Sequence, residues 1–157
     1  MSLFAQPSAN QLNVGLTSVR TVVGTIFVAH GAQKLFVFGL AGVAGAFGHM
    51  GIPAPELTGP LVAFVELFGG LALIVGLLTR LAAGGLAVTM LGAILFVHVS
   101  AGLFLPNGAE FALALLGVLA FLAVTGAGAY SLDSIIGGRR AEAEPVRLLN
   151  AVAAQKS

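Results

Sequence analysis

The chain has 157 residues, of which 58% are hydrophobic and 8% charged, with a formal net charge of +1. Its mean hydropathy of +1.04 excludes an ordinary soluble domain, where about a quarter of residues carry charge. The absence of cysteine excludes disulfide exchange, thiolate metal sites and Cys-ligated iron–sulfur clusters.

A membrane span needs about 20 predominantly apolar residues, and four stretches qualify. Residues 1–13 read as a polar lead, with Asn10 or Asn13 placed to cap the first helix. Span one covers 14–38. It lacks a basic segment ahead of it, runs longer than a signal-peptide core and contains Arg20, His30 and Lys34, so it is expected to stay attached. The only long connection is 39–58. Its Gly-rich first half, with Pro53 and Pro55 beyond, predicts an interfacial or re-entrant loop over the outer mouth of the bundle. Spans two, three and four follow at 59–78, 81–100 and 109–130. Alternating polarity is absent, which speaks against a barrel. The expected fold is all-α: an integral membrane four-helix bundle in one domain, 14–133, followed by a short basic tail, 134–157.

Arg139, Arg140, Arg147 and Lys156 follow the last span, and Arg80 lies between spans two and three. The link 102–108 has no basic residue, and the first loop has only Lys34 near its start. The positive-inside rule then places both termini in the cytoplasm and the first loop outside. The tail is expected to meet anionic lipid rather than nucleic acid.

An ionisable side chain in hydrocarbon costs roughly 2.5–3.5 kcal/mol, so it marks a partner or a task. At 100° per residue, Arg20, Gly24, Phe27, Gly31 and Lys34 share one face of span one, with His30 on its flank. Glu66, Gly70, Leu73, Leu77 and Arg80 share a face of span two. His98 aligns with Ile94, Leu91 and Gly84, and Glu110 with Ala114, Gly117, Phe121 and Gly128. These faces are expected to point inward. Glycines within the spans, Gly85 and Gly92 among them, read as close-packing positions.

Depth sorts the charges into two layers. Arg20, Arg80 and Asp133 form a structural cluster toward the cytoplasm, where the arginines can pair with Asp133. His30, Lys34, Glu66, His98 and Glu110 lie toward the outer side, with His49 in the loop above. Lys34 and Glu66 are expected to form a buried ion pair. With the two histidines and Glu110 they are the candidate ligand-binding or proton-handling residues. There is no i, i+4 histidine pair, and no metal site is expected. Nothing in the spacing of His30 and His98 singles out haem.

Several short stretches recur in a telling order: Arg20 and Gly24 with His30-Gly31 and Lys34; Gly51-Ile52-Pro53; Glu66 with Gly69-Gly70; Gly76 with Arg80; Gly108 with Glu110; and Gly126, Gly128 and Ser131-Leu132-Asp133. Together they resemble the DoxX family of small four-helix membrane proteins over about residues 20–133. The resemblance implies that fold and a quinone-linked role, because the family is named for a subunit of an archaeal thiosulfate:quinone oxidoreductase. Other members are linked to membrane redox and stress-protection complexes. A quinone would need aromatic walls, for which Phe27, Phe36, Phe47, Phe64, Phe68 and Phe96 are available, and proton donors, which the outer layer supplies.

Three functions follow as expectations. The first is a membrane subunit of a quinone-linked oxidoreductase or stress-protection complex in a prokaryotic inner membrane. Such a subunit would work with partner redox subunits, self-associated or not, rather than as a catalyst alone. The second is a non-catalytic scaffold or anchor whose charges lock the bundle. The third is a carrier for a small metabolite or proton using the same polar layer.

Overall fold

The structure is a computed structural model that describes residues 7–138. The tail arginines and Lys156, which dominate the orientation expectation, lie outside the described residues. Among the described residues the chain is helical throughout, with no strand.

The first helix, α1 (Ala9–Ala32), begins earlier than expected because Ser8 caps it. The Ser8 hydroxyl accepts from the Gln11 N–H at 3.3 Å, and the Gln11 side chain accepts from the Ser8 N–H at 2.8 Å. Asn10 and Asn13 serve elsewhere, holding the Tyr130 hydroxyl at 2.5 Å and the Ala129 N–H at 2.9 Å. From α1 the chain passes directly into a π-helical stretch, Gln33–Phe38. It bends at Gly39 (φ 69°) and continues as α2 (Gly39–His49).

The expected first loop is therefore mostly helix. Backbone at membrane depth must satisfy its own hydrogen bonds, and a glycine-rich run does so as helix when a neighbour covers it. The neighbour is α3 (Pro55–Val75), which α2 meets antiparallel: Ala44 lies against Gly59 and Gly48 beside Pro55. Only residues 50–54 remain as a turn. Pro55 opens α3 in the first turn, where its missing N–H is no loss.

A turn at 76–78 leads to α4 (Thr79–Ala93), extended by a second π-helical stretch, Ile94–His98, and a short 3-10 turn, Val99–Ala101. After a compact linker comes α5 (Glu110–Thr125), which Gly126 (φ 81°) ends well short of residue 130. A further helical segment covers 132–138. Ala9–His49, Pro55–Val75 and Thr79–Ala101 are each long and apolar enough to cross a bilayer, and α5 is a shorter apolar helix packed on α4. The chain is a multi-pass membrane protein.

Helix α1 packs against α3 through glycines, as their face predicts. A Cβ on Gly24 would stand 2.7 Å from the Gly70 carbonyl oxygen, and one on Gly31 would collide with the Leu67 backbone. Gly31→Val should therefore destabilise the bundle by about 3 kcal/mol, the upper end for an overpacked site. Gly117, with open space around it, should tolerate valine. Thermal unfolding of both variants in mild detergent compares them.

Three expected faces are corrected, the first because α3 ends at Val75, which leaves Leu77 and Arg80 outside the face of Glu66, Gly70 and Leu73. The inward residues of α5 are Ala112, Leu115, Leu119 and Leu122, while Ala114, Gly117 and Phe121 are exposed. Glu110 misled because its carboxylate turns back at the helix start to accept from the Leu105 N–H at 2.9 Å, so it says nothing about the face below. On α4 the inward residues are Thr79, Ala83, Leu86 and Met90, and Leu91 is exposed. The π-helical stretch beyond them inserts an extra residue into its turn. That rotates His98 away from the Leu91 line and toward Met90.

Candidate functional site

The charges form two separate sites, one at each level of the bundle. At the α3–α4 turn, Arg20 is 2% exposed. Its guanidinium donates to the carbonyl oxygens of Leu73 at 3.1 Å and Ile74 at 3.2 Å, and also to Tyr130 O. The last carbonyls of a helix lack intrahelical partners and form its negative pole, so a buried cation is stabilised there. Asp133 performs the mirror task at the start of α4, accepting from the Leu78 N–H at 2.7 Å and the Thr79 N–H at 2.9 Å. Its own N–H donates to Gly76 O at 2.8 Å.

The expected pairing of Arg20 and Arg80 with Asp133 is replaced by these helix-end contacts. Each charge finds a pole of the turn nearer than the opposite charge. Arg80 is exposed, lying over Gly126. Gly76 (φ 67°) is indispensable here, because a Cβ would strike the Arg20 guanidinium and Ser131.

The second site centres on Lys34 and Glu66, which form the only ion pair among the described residues. Their side chains are 19% and 5% exposed, respectively. Glu66 lies near the middle of α3, whose 21 residues span about 32 Å, close to the hydrocarbon thickness. The pair thus lies about halfway along α3.

Lys34 lies within the first π-helical stretch, and residues of the second line the cavities beside the pair. Single π-turns within membrane helices concentrate where side chains must be re-aimed, and here they border two cavities. The larger is an apolar groove of about 660 Å³, with α3 and α4 as walls and the α2–α3 turn as roof. Phe47, Met50, Ile52, Val88 and Phe96 line it, and Lys34 and Glu66 are its only charged residues. The smaller is a chamber of about 180 Å³ on the other side of the pair, lined by His30, Lys34, Glu66 and His98 among Phe27, Met90 and Phe111.

Of the candidate residues, four line the smaller cavity, with His30 on an exposed part of α1. His98 reaches the chamber through its π-turn, and its Nδ1 is 2.8 Å from the Asn107 carbonyl oxygen. A carbonyl only accepts, so Nδ1 donates and Nε2 is left as the acceptor. Glu110 stays outside, clamping the linker, and His49 is exposed at the end of α2. Of the aromatic candidates, Phe47 and Phe96 wall the groove and Phe27 the chamber. Phe36, Phe64 and Phe68 are exposed, the latter two stacked with centroids 6.1 Å apart.

Gly85 packs toward Val65 of α3, as a close-packing position should, whereas Gly92 has open space where a Cβ would be; both line the groove. Their seven-residue spacing was the signal. It marks one helix face, but not whether a helix or a hollow lies opposite.

Comparison with known proteins places this geometry in a family. The family model described as DoxX matches residues 15–99, more than half of the chain. The chain is 35% identical over 123 residues to "Putative oxidoreductase CatD" of Bacillus subtilis, covering 78% of this chain and 87% of that protein. It is 35% identical over 130 residues to "Inner membrane protein YqjF" of Escherichia coli, covering 79% and 93%. An uncharacterised protein of Haemophilus influenzae is 37% identical over 123 residues, covering 76% and 88%. No solved structure matches the chain.

Proposed function

The chain belongs to the DoxX family, and from that premise we propose that it is the membrane subunit of a quinone-linked redox assembly in a prokaryotic inner membrane. Its quinone would lie in the groove beside Lys34 and Glu66. The observation that carries the reading is a ligand-sized apolar groove with one charged pair about halfway along α3. Its volume falls within the 300–1,000 Å³ or so of small-molecule sites. Its donor set also suits the group: Phe47 and Phe96 would flank the ring, and the Lys34 ammonium would donate to a ring oxygen. When bound, a quinone supplies two-electron, two-proton redox capacity. With no cysteine to ligate a cluster, electron delivery falls to a partner subunit. The name of the Bacillus subtilis relative is consistent with such work.

The test is extraction of quinone from protein purified in mild detergent, together with binding of a short-tailed quinone to protein in nanodiscs. Wild type should retain and bind quinone, and Gly92→Leu, whose Cβ would enter open space at the groove wall, should lose at least about tenfold in affinity. Wild type devoid of quinone and unable to bind the probe would overturn the reading. The ion pair itself favours a second reading, a scaffold, because it satisfies both charges without a ligand. In that case Lys34→Met combined with Glu66→Leu would leave every activity of the assembly intact.

A further inference from the structure

The smaller chamber has a separate task. At about 180 Å³ it is below the roughly 300 Å³ of the smallest ordinary organic-ligand sites. It is nevertheless ample for several waters, each occupying about 30 Å³ of liquid and needing polar partners. Those partners are present: His30 and Lys34 from α1 and its extension, Glu66 from α3 and His98 from the extension of α4. The lining contributed by α5 is Phe111, Ala112 and Leu115, with no titratable group, and Glu110 is turned to the linker.

The chamber also has a direction. His98 sits at the end of the α4 run and is tied to the exposed Asn107 of the linker. Glu66 lies about halfway along α3, and His30 one helical turn beyond Lys34 along α1. We infer that this chamber is a proton path, leading from the membrane face that carries the α4–α5 linker to the Glu66 carboxylate, with His98 at its mouth.

The Asn107 carbonyl holds the His98 Nδ1–H, so Nε2 is the one ring nitrogen free to accept a proton that enters from the linker side and to hand the same proton on, the Nε2–H bond forming and then breaking. The imidazolium then returns to neutral by passing one proton to chamber water, and that water passes one to Glu66. An N–H bond breaks at His98, an O–H bond forms at Glu66, and no electrons move. Neutral Glu66 releases the Lys34 ammonium, which then faces the groove as a free hydrogen-bond donor. Both cavities touch the same two side chains, so a proton arriving through one alters the charge presented to the other. The inference rests on the proposed role of the pair as the ligand's partners, but it can be measured without any ligand.

The experiment follows protonation of Glu66 by infrared spectroscopy after a rapid drop in pH, using the full chain in nanodiscs with no quinone added. The carboxylic acid band is assigned by its loss in Glu66→Gln. His98→Gln, which keeps a hydrogen-bonding side chain but cannot titrate, should slow protonation by about a hundredfold, the lower end for a positioned proton donor. Ala112→Leu, which fills the chamber while leaving every titratable group, should slow it comparably. Gly117→Leu, on the exposed side of the same helix, should protonate at the wild-type rate. A wild-type rate in either of the first two variants, once folded, would overturn the path; should Ala112→Leu not fold, His98→Gln alone decides. A failed quinone assay leaves this result untouched, and the converse also holds.

Discussion

Lys34→Met is expected to destabilise the bundle by about 3–5 kcal/mol, the usual effect of breaking a buried ion pair from one side. The effect should be asymmetric. Glu66 is 5% exposed, and without Lys34 its carboxylate would be stranded about halfway along α3, where it must take up a proton or drag water inward. Lys34 is 19% exposed and carries its ammonium on a flexible four-carbon stem, which can turn toward the chamber. Glu66→Leu should therefore be milder than Lys34→Met. The double variant, Lys34→Met with Glu66→Leu, should recover most of the loss because two apolar side chains of similar volume replace the pair. Chemical unfolding of the three variants in mild detergent orders them. Equal stability of Lys34→Met and wild type would show that the pair does not support the fold.

Arg20→Met is expected to be at least as severe. It removes the guanidinium that donates to three carbonyl oxygens, those of Leu73, Ile74 and Tyr130, and Leu73 O is left with only the Gly76 N–H at 3.2 Å. Each bond to a charged group is worth about 1.5–3 kcal/mol, and the substitution also removes the cation from the negative pole of α3. Arg20→Lys should restore only part of the loss, since one ammonium cannot reproduce a planar fork that reaches α3 and residue 130 together. Arg20 and Lys34 are roughly 21 Å apart along the helix at 1.5 Å per residue. Quinone retention in the folded fraction of Arg20→Lys should accordingly equal that of wild type. A loss of retention there would mean that the two sites communicate.

The contrast between these sites explains what could be read from residue spacing. The α1 face of Arg20, Gly24, Phe27 and Gly31 and the α3 face from Glu66 to Leu73 were legible because both helices are regular across those residues. A 100° step therefore maps directly onto contact. The Lys34–Glu66 pair followed as well, because Lys34 is only the second residue of its π-helical stretch and still lies close to the α1 stripe that faces α3. His98 was misaligned because its position depends on a π-turn, and nothing in Ile94–His98 announces one. The α5 face was misjudged because a charge at a helix terminus can turn toward the adjoining linker.

Composition alone determined that this is a multi-pass helical membrane protein, because a chain with so few charges cannot remain solvated and must satisfy its backbone within helices. Local spacing determined which charges share a depth. Only the tertiary structure decided that α2 continues the first helical run along α3 and that Lys34 meets Glu66 halfway along that helix. It alone showed that Gly92 borders a hollow rather than a helix, and that two cavities meet at one ion pair. Those outcomes depend on which helices lie opposite one another, and a periodicity along one chain segment carries no information about what stands across from it.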